Sequence, residues 1–220
     1  MESKKRVKKP WPTKDAMNQV YELHLWGGNS HDFYSGEGSY DSNIITPYIK
    51  EVSGFLKLFP NKLTVCDLGC GDFNVGKNLI DFAETYTAVD IVDKLITRNK
   101  DKFKADNLKF ECLDIAEDVL PQADCIIVRQ VLQHLSNKEV EKVVSKLSAY
   151  KYIVLTEHLP NGQFKPNKDI ISGQGIRIKK GSGLVITEPP FNFKAKEIKE
   201  MVVHNLDSDK GIIKTTLYTL

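Results

Sequence analysis

The sequence predicts an α/β protein in which a mostly parallel sheet carries helices on both faces. Between residues 60 and 159, short apolar runs alternate with amphipathic stretches, a pattern typical of parallel strands joined by helices. Gly69 and Gly71 follow the first apolar run, at the place where a strand can turn into a helix around a ligand. The 220 residues suffice for one domain with a sizeable core.

The first part of the chain precedes the sheet. Residues 1–11 are strongly basic, and we expect them to form a disordered tail. The spacing of apolar residues predicts an amphipathic helix over 13–26 and another over 44–58, with a polar, glycine-rich loop over 27–38 between them. We interpret residues 12–59 as a helical cap and lid.

Residues 60–159 are predicted to form the cofactor-binding core. Ser136 and Glu139 have the spacing of a capping box, which marks the start of a helix. The apolar runs predict five strands, at 63–67, 86–90, 108–112, 123–128 and 152–156. The segments between them predict three helices, at about 75–84, 93–103 and 137–149.

The pattern changes after the fifth strand. Residues 160–192 contain five glycines and four prolines around two β-like runs, which predicts an inserted hairpin that turns at 179–183. A helix at 194–202 and a strand at 212–218 are predicted within the closing segment, 193–220. All of 12–220 is therefore expected to be one domain.

Composition disfavours some partners. The formal net charge is only +2, so the chain as a whole has no field that would attract nucleic acid. No apolar stretch reaches the roughly 20 residues needed to cross a bilayer, so we expect no membrane contact. Nucleic-acid binding stays open only through a basic cluster near the start of the chain, formed by Lys4, Lys5, Arg6, Lys8 and Lys9.

The cysteines indicate the compartment. Cys66, Cys70, Cys112 and Cys125 lie in or beside predicted strands, where free thiols pack as small hydrophobic groups. Cys66 and Cys70 have no His or Cys partners at metal-ligand spacing, so we expect no metal site. Free thiols favour a cytoplasmic protein. The oligomeric state stays open.

The glycine loop suits a nucleoside cofactor other than NAD. Asp90 ends the second predicted strand, about 20 residues past the glycines, where an acid can accept both hydroxyls of a ribose. A dinucleotide loop needs a third glycine, but Asn74 stands at that position. Asp67, two residues before Gly69, would repel a pyrophosphate and would suit a ligand with ammonium and sulfonium groups.

At these residues the chain resembles the class I S-adenosylmethionine-dependent methyltransferases, whose first motif reads D/E-x-G-x-G. Asp67, Gly69 and Gly71 match that motif, and the resemblance extends over residues 60–158. It implies a seven-strand sheet whose last strand is antiparallel and lies between two parallel ones. It also implies S-adenosyl-L-methionine as the cofactor, with the motif and strand-end positions at the site: Asp67, Gly69, Cys70, Gly71, Asp90, Ile91, Asp114 and Ile115. We expect Trp26 and Ser35, in the loop before the first strand, to contact the cofactor as well. Arg129, directly after the fourth strand, either packs over the cofactor or meets an anionic substrate.

Three residues are candidates for proton transfer. Glu157 and His158 follow the fifth predicted strand directly, at the edge where open α/β sheets bind ligands. His134 lies in the helix after the fourth strand, a position typical of small-molecule members of the resembled family. It is either a general base or substrate contact, or a local hydrogen-bonding residue beside the cofactor.

Two further residues are candidates for contacting the acceptor. Tyr34 lies in the loop 26–40, which is dense in polar and aromatic groups and is either a lid or an ordinary surface loop. Arg177 lies on the predicted hairpin, which we expect to cover the acceptor side of the pocket. There it would hold an anionic acceptor such as a phosphorylated or acidic sugar, unless the hairpin is merely solvated.

The sequence thus predicts a cytoplasmic methyltransferase acting on a small-molecule acceptor, such as a sugar or another metabolite. Two alternatives stay open. One is a methyltransferase directed at RNA or protein that uses its basic N-terminus as an electrostatic arm. The other is a protein that binds S-adenosyl-L-methionine without catalysing transfer.

Overall fold

Seven strands form one mixed sheet in this computed structural model, which describes residues 10–28, 31–206 and 210–220. Their spatial order is β3-β2-β1-β4-β5-β7-β6. The strands are β1 (Leu63–Leu68), β2 (Ala83–Asp90), β3 (Leu108–Cys112), β4 (Cys125–Arg129), β5 (Tyr152–Leu159), β6 (Glu197–Asn205) and β7 (Ile212–Thr219). The first five run parallel, and β7 runs antiparallel to both of its neighbours, β5 and β6. The predicted fold class and its antiparallel last strand are confirmed.

The described residues form four α-helices: α1 (Thr13–Glu22), α2 (Ser42–Leu56), α3 (Asp93–Lys102) and α4 (Asn137–Leu147). The last three cover the two faces of the sheet, whereas Tyr21 of α1 packs with Leu95 of α3. On one face, α4 buries Val140, Val143 and Leu147 against the sheet. On the other face, α2 and α3 contribute Val52 and Ile96 to a second core. The predicted capping box at the start of α4 is present. Most of the predicted basic tail lies outside the described residues.

The predicted helix over 75–84 is wrong. The structure has two short 3-10 turns there, Gly76–Asn78 and Ile80–Phe82, and β2 begins directly after them. Phe73 takes a left-handed backbone conformation with φ 64° and is fully buried among three aromatic rings of the core. This compact turn leaves no room for a helix between the glycine loop and β2.

The predicted hairpin over 160–192 is also wrong. Within this insert the only regular element is a 3-10 turn, Arg177–Lys180. The Asn167 side chain supplies hydrogen bonds that a strand partner would otherwise make, because its amide donates to the carbonyls of Val185 and Pro189 at 2.9 Å. The apolar run therefore folds inward irregularly and buries Ile186 in the core beside α4.

The predicted helix at 194–202 is a strand instead. This segment forms β6, which pairs with β7 at the edge of the sheet and has a register shift between Glu200 and Val202. Its polar composition is compatible with a helix, but pairing with the free edge of β7 decides the outcome.

In the same region, β5 continues three residues beyond its predicted end because β7 pairs along its whole length.

None of the helices in the described part of the chain is long and apolar enough to cross a membrane.

Candidate active site

A cavity of about 340 Å³ opens at the carboxyl ends of the parallel strands. Its floor comes from the ends of β1, β2 and β4 and from the glycine loop. Its cover comes from α1, the loop after α1 and the insert, which contributes Gln174 and Ile176. All eleven residues predicted to bind the cofactor line it: Trp26, Ser35, Asp67, Gly69, Cys70, Gly71, Asp90, Ile91, Asp114, Ile115 and Arg129.

The glycine loop and Asp90 form one hydrogen-bonded unit. The Gly71 N–H donates to Asp90 Oδ2 at 3.0 Å, and the Val92 N–H donates to Oδ1 at 3.1 Å. Gly69 has φ 77°, and a Cβ added there would lie 2.4 Å from Val131, so only glycine fits. Each oxygen of the Asp90 carboxylate can accept a further hydrogen bond, so two adjacent ribose hydroxyls fit this group. Burial raises the pKa of Asp90 to about 6.

Asp67 is a second buried carboxylate in the cavity. The Tyr86 hydroxyl donates to its Oδ2 at 2.9 Å. Burial raises the pKa of Asp67 to about 7, while the Tyr86 hydroxyl and Arg129 oppose that shift. Among the described residues, Asp67 forms no salt bridge. A buried carboxylate of this kind fits a positively charged group of a ligand.

The loop after α1 is fastened to the glycine loop through Asp72. Its carboxylate accepts from the Ser35 N–H at 2.8 Å and from the Tyr40 hydroxyl at 3.0 Å. In return, Ser35 Oγ accepts from the Asp72 N–H at 2.8 Å and lies 3.1 Å from the Tyr21 hydroxyl. These contacts hold the segment over the cavity, and its role as a lid stays a prediction.

Arg129, at the end of β4, holds the other end of the same loop. Its guanidinium donates to the Gly38 carbonyl and, at 3.3 Å, to Ser39 Oγ. It also lies 5.1 Å from the centre of the Tyr48 ring. These contacts use its charge to hold the cover in place over the cofactor half of the cavity.

Asp114 and Ile115 line the far end of the cavity together with Ile91. Asp114 Oδ1 accepts from the Ala116 N–H at 2.9 Å, which fixes the side chain at the turn after β3. An acid flanked by two apolar residues fits a flat apolar group that carries an amino donor, such as adenine.

His134 is the one predicted catalytic residue that lines the cavity. Its Nδ1 lies 3.1 Å from the Gly173 carbonyl, and a carbonyl can only accept, so Nδ1 carries the proton. Nε2 is then an unprotonated acceptor, with a long contact of 3.4 Å to Gln133 Nε2. Burial lowers the pKa of His134 to about 4, so the ring is neutral at neutral pH.

Arg177 does not contact the acceptor side, and its predicted role is wrong. Its side chain is 1% exposed and does not line the cavity. The guanidinium donates to the Leu135 carbonyl at 2.8 Å, to Asn137 Oδ1 at 2.6 Å, and at longer distance to the carbonyls of Leu132 and Gln133. It thus holds the turn that carries His134.

Glu157 and His158 are likewise outside the cavity. Both belong to β5 and pair with residues of β7, so they do not stand at a free strand end. His158 Nε2 lies 2.6 Å from the Lys210 carbonyl. Glu157 is buried with no hydrogen-bond partner for its carboxylate among the described residues, and burial raises its pKa to about 8 despite the charge of Arg177. Neither residue is placed to act as the base.

Tyr34 does not line the cavity either. Its ring stacks on that of Tyr40, with 4.6 Å between the ring centres. This contact supports the cover, and acceptor binding by Tyr34 stays a prediction.

Several residues of the cavity were not predicted. Asp72 directly follows Gly71, and this position next to the motif is the signal that could have identified it. Tyr48 and Tyr86 stand at apolar positions of α2 and β2, so the sequence indicates only core residues there. Met17 and Gln174 lie in the cover, whose folding depends on contacts between distant segments.

The fold and this cavity define a Rossmann-like domain built for a nucleoside cofactor, and comparison with known proteins agrees. Residues 65–150 match the sequence profile of the family described as "Methyltransferase domain". A malonyl-[acyl-carrier protein] O-methyltransferase of Acetivibrio thermocellus is 33% identical over 94 residues, which cover 40% of this chain and 33% of that protein. The chain thus matches about a third of the length of this curated relative.

Solved structures show the same fold. The N-methyltransferase NodS of Bradyrhizobium japonicum WM9, in complex with S-adenosyl-L-homocysteine, matches with a TM-score of 0.64 and 12% identity, over 92% of this chain and 98% of its own. The magnesium protoporphyrin IX methyltransferase ChlM of Synechocystis PCC 6803, with bound S-adenosylmethionine, matches with a TM-score of 0.61 and 16% identity, over 97% of this chain and 99% of its own. Residues 65–150 therefore match a methyltransferase domain, and the predicted resemblance to the class I S-adenosylmethionine-dependent methyltransferases is confirmed.

Proposed function

We propose that this chain transfers a methyl group from S-adenosyl-L-methionine to a small-molecule acceptor. The observation that carries the proposal is one covered cavity in which the glycine loop, three buried acids and a neutral histidine meet. A cavity closed by the loop after α1 and by the insert suits a small molecule better than an RNA or protein surface.

The cavity fits the cofactor residue by residue. The cofactor, when bound, supplies a methyl group on a positively charged sulfur. Asp90 would hold the ribose hydroxyls, Asp67 the positively charged end, and Asp114 the adenine amino group. Ser35, held by Asp72, would lie beside the methionine part. The chain's own task is chiefly to hold the two reactants in line and to keep water out.

His134 is the residue we propose for accepting a proton from the acceptor. It lines the cavity, and Gly173 holds its Nδ1–H, which leaves Nε2 as the basic atom. The ring is neutral at neutral pH, as a general base must be.

The four cysteines are free, which supports the proposal of a cytoplasmic location.

The test is a methyl-transfer assay with S-adenosyl-L-methionine and fractionated metabolite extracts. We expect S-adenosylhomocysteine to form only when a fraction supplies an acceptor, together with a product heavier by one methylene unit. At a limiting cofactor concentration Asp90→Ala should lower this signal by about tenfold or more, and the exposed Asp101→Ala should leave it unchanged. Transfer only to RNA or protein would favour the directed methyltransferase, and cofactor binding without any transfer would favour a binding protein.

A further inference from the structure

One wall of the cavity, formed by the cover together with the turn before α4, has no charged groups. We call it the cover wall and define it as Met17, Trp26, Gln133, His134, Gln174 and Ile176. These residues come from α1 and the loop after it, from the turn before α4, and from the insert. Two are carboxamides, three are apolar or aromatic, and His134 is neutral because burial lowers its pKa to about 4.

The charged groups of the cavity all lie on the opposite side, in the floor. Among the described residues that line it, these are Asp67, Asp72, Asp90, Asp114 and Arg129. They belong to the glycine loop, to the last residues of β1, β2 and β4, or to the turn after β3. Each therefore stands on the side that fits the cofactor.

Two charged groups just behind the cover wall, Arg177 and Glu139, are occupied by other contacts. The Arg177 guanidinium is buried against backbone carbonyls and Asn137. The Glu139 carboxylate accepts from the hydroxyls of Thr13, Ser136 and Ser172. Neither group is available to neutralise a charge on an acceptor, and an unpaired charge in a covered cavity is strongly unfavourable.

The cover wall also presents aromatic rings. The Trp26 ring lies 5.1 Å from the His134 ring, tilted by 50°. The Tyr21 ring supports Trp26 edge-on, with 5.4 Å between ring centres. Flat apolar surfaces of this kind bind aromatic rings with a gain beyond simple burial.

The base indicates which hydroxyl could react. His134 is a weak base because its pKa lies below the ordinary value. A weak base gives little driving force for proton removal, so the hydroxyl that reacts must itself be comparatively acidic. A phenolic hydroxyl, with a pKa of about 10, releases its proton far more readily than the hydroxyl of a sugar.

We propose that the acceptor is an uncharged aromatic compound with a phenol-type hydroxyl, whose ring lies against Trp26 and whose hydroxyl faces His134 Nε2. The inference rests on the proposed function. In the reaction, a bond forms between the acceptor oxygen and the methyl carbon. The bond from that carbon to sulfur breaks, its electron pair stays on sulfur, and the hydroxyl proton moves to His134 Nε2.

The test uses the two tryptophans of the chain as reporters. Trp26 lines the cavity, whereas Trp11 is 59% exposed and does not line it. The protein is first titrated with S-adenosylhomocysteine and then, once saturated, with four compounds while the two indole N–H signals are followed in a proton–nitrogen spectrum. The compounds are p-cresol, its saturated analogue methylcyclohexanol, the anion p-hydroxybenzoate and the cation tyramine.

We expect p-cresol to shift the Trp26 signal saturably and to bind about tenfold or more tightly than the other three, while the Trp11 signal stays still. Ligand-observed binding should weaken by about tenfold in Trp26→Leu and stay unchanged in the matched Trp11→Leu. Equal or tighter binding of any other compound, or no shift of Trp26 with p-cresol, would overturn the inference alone. Failure to bind S-adenosylhomocysteine at the start would instead remove the proposed function, and this inference with it.

Discussion

The variant Arg177→Met tests whether the insert stabilises the turn before α4 that carries His134. Methionine keeps a long apolar side chain but removes every hydrogen-bond donor. The structure then leaves the Leu135 carbonyl and Asn137 Oδ1 without the partners that Arg177 supplies at 2.8 and 2.6 Å. The contacts to the carbonyls of Leu132 and Gln133 are longer, at 3.2 and 3.3 Å, and count for less.

The size of the effect follows from the two short contacts. A hydrogen bond to a charged group contributes about 1.5–3 kcal/mol. We take the lower figure for each of the two short hydrogen bonds, because removing the buried guanidinium also removes its cost of burial. The variant should therefore lose about 3 kcal/mol of stability. For a domain of this size that corresponds to a fall in the melting temperature of about 6–12 °C.

The assay is thermal unfolding of the wild type, Arg177→Met and Lys179→Met, with S-adenosylhomocysteine binding measured on the same samples. Lys179 lies in the same 3-10 turn and is exposed, so its variant should melt as the wild type does. Cofactor affinity should be unchanged in both variants at a temperature where they are folded. A normal melting temperature for Arg177→Met would refute the assignment, and a loss of cofactor affinity in the folded variant would place Arg177 elsewhere.

Three further predictions concern buried acids. Burial raises the pKa of Glu157 from 4.5 to about 8, so the stability it contributes below pH 4.5 is lost as pH rises to about 8. Glu157→Gln should therefore gain stability over the wild type between pH 5 and pH 8 in urea unfolding; a constant difference would contradict this. Asp90→Ala should weaken S-adenosylhomocysteine binding by about 1.5–3 kcal/mol, roughly 10- to 150-fold, in calorimetry, with Asp101→Ala as the unaffected control. The affinity of the wild type for S-adenosylhomocysteine should fall as the pH drops through about 7 and then about 6, because Asp67 and then Asp90 become protonated. A constant affinity from pH 8 to pH 5 would contradict the roles of Asp67 and Asp90 in binding.

The floor of the site could be predicted from the sequence because it depends on neighbours in the chain. A strand end, two glycines and an acid at the next strand end suffice to place Asp67, Gly69, Gly71 and Asp90 together. Parallel strands then bring their carboxyl ends to one edge whatever the details of the loops. That is why the predicted cofactor residues at the strand ends and in the glycine loop line the cavity.

The cover could not be predicted in the same way because it depends on contacts between distant segments. In the sequence, nothing distinguishes Arg177 from an exposed arginine. In the structure, its guanidinium is buried because it donates to carbonyls of the turn before α4. Glu157 and His158 look like the end of a strand until β7 pairs with them. The segment of β6 has no strong strand pattern of its own and takes its form from the edge of β7.

Calorimetric titration of the same protein with S-adenosylhomocysteine and with NAD decides which cofactor the cavity binds. The buried Asp67 and Asn74 in place of a third glycine favour the first ligand, and Asp90 and Asp114 line the cavity where its ribose and adenine would lie. We predict saturable binding of S-adenosylhomocysteine with one site per chain, and binding of NAD that is far weaker. Equal affinity for NAD, or no binding of S-adenosylhomocysteine, would contradict the account.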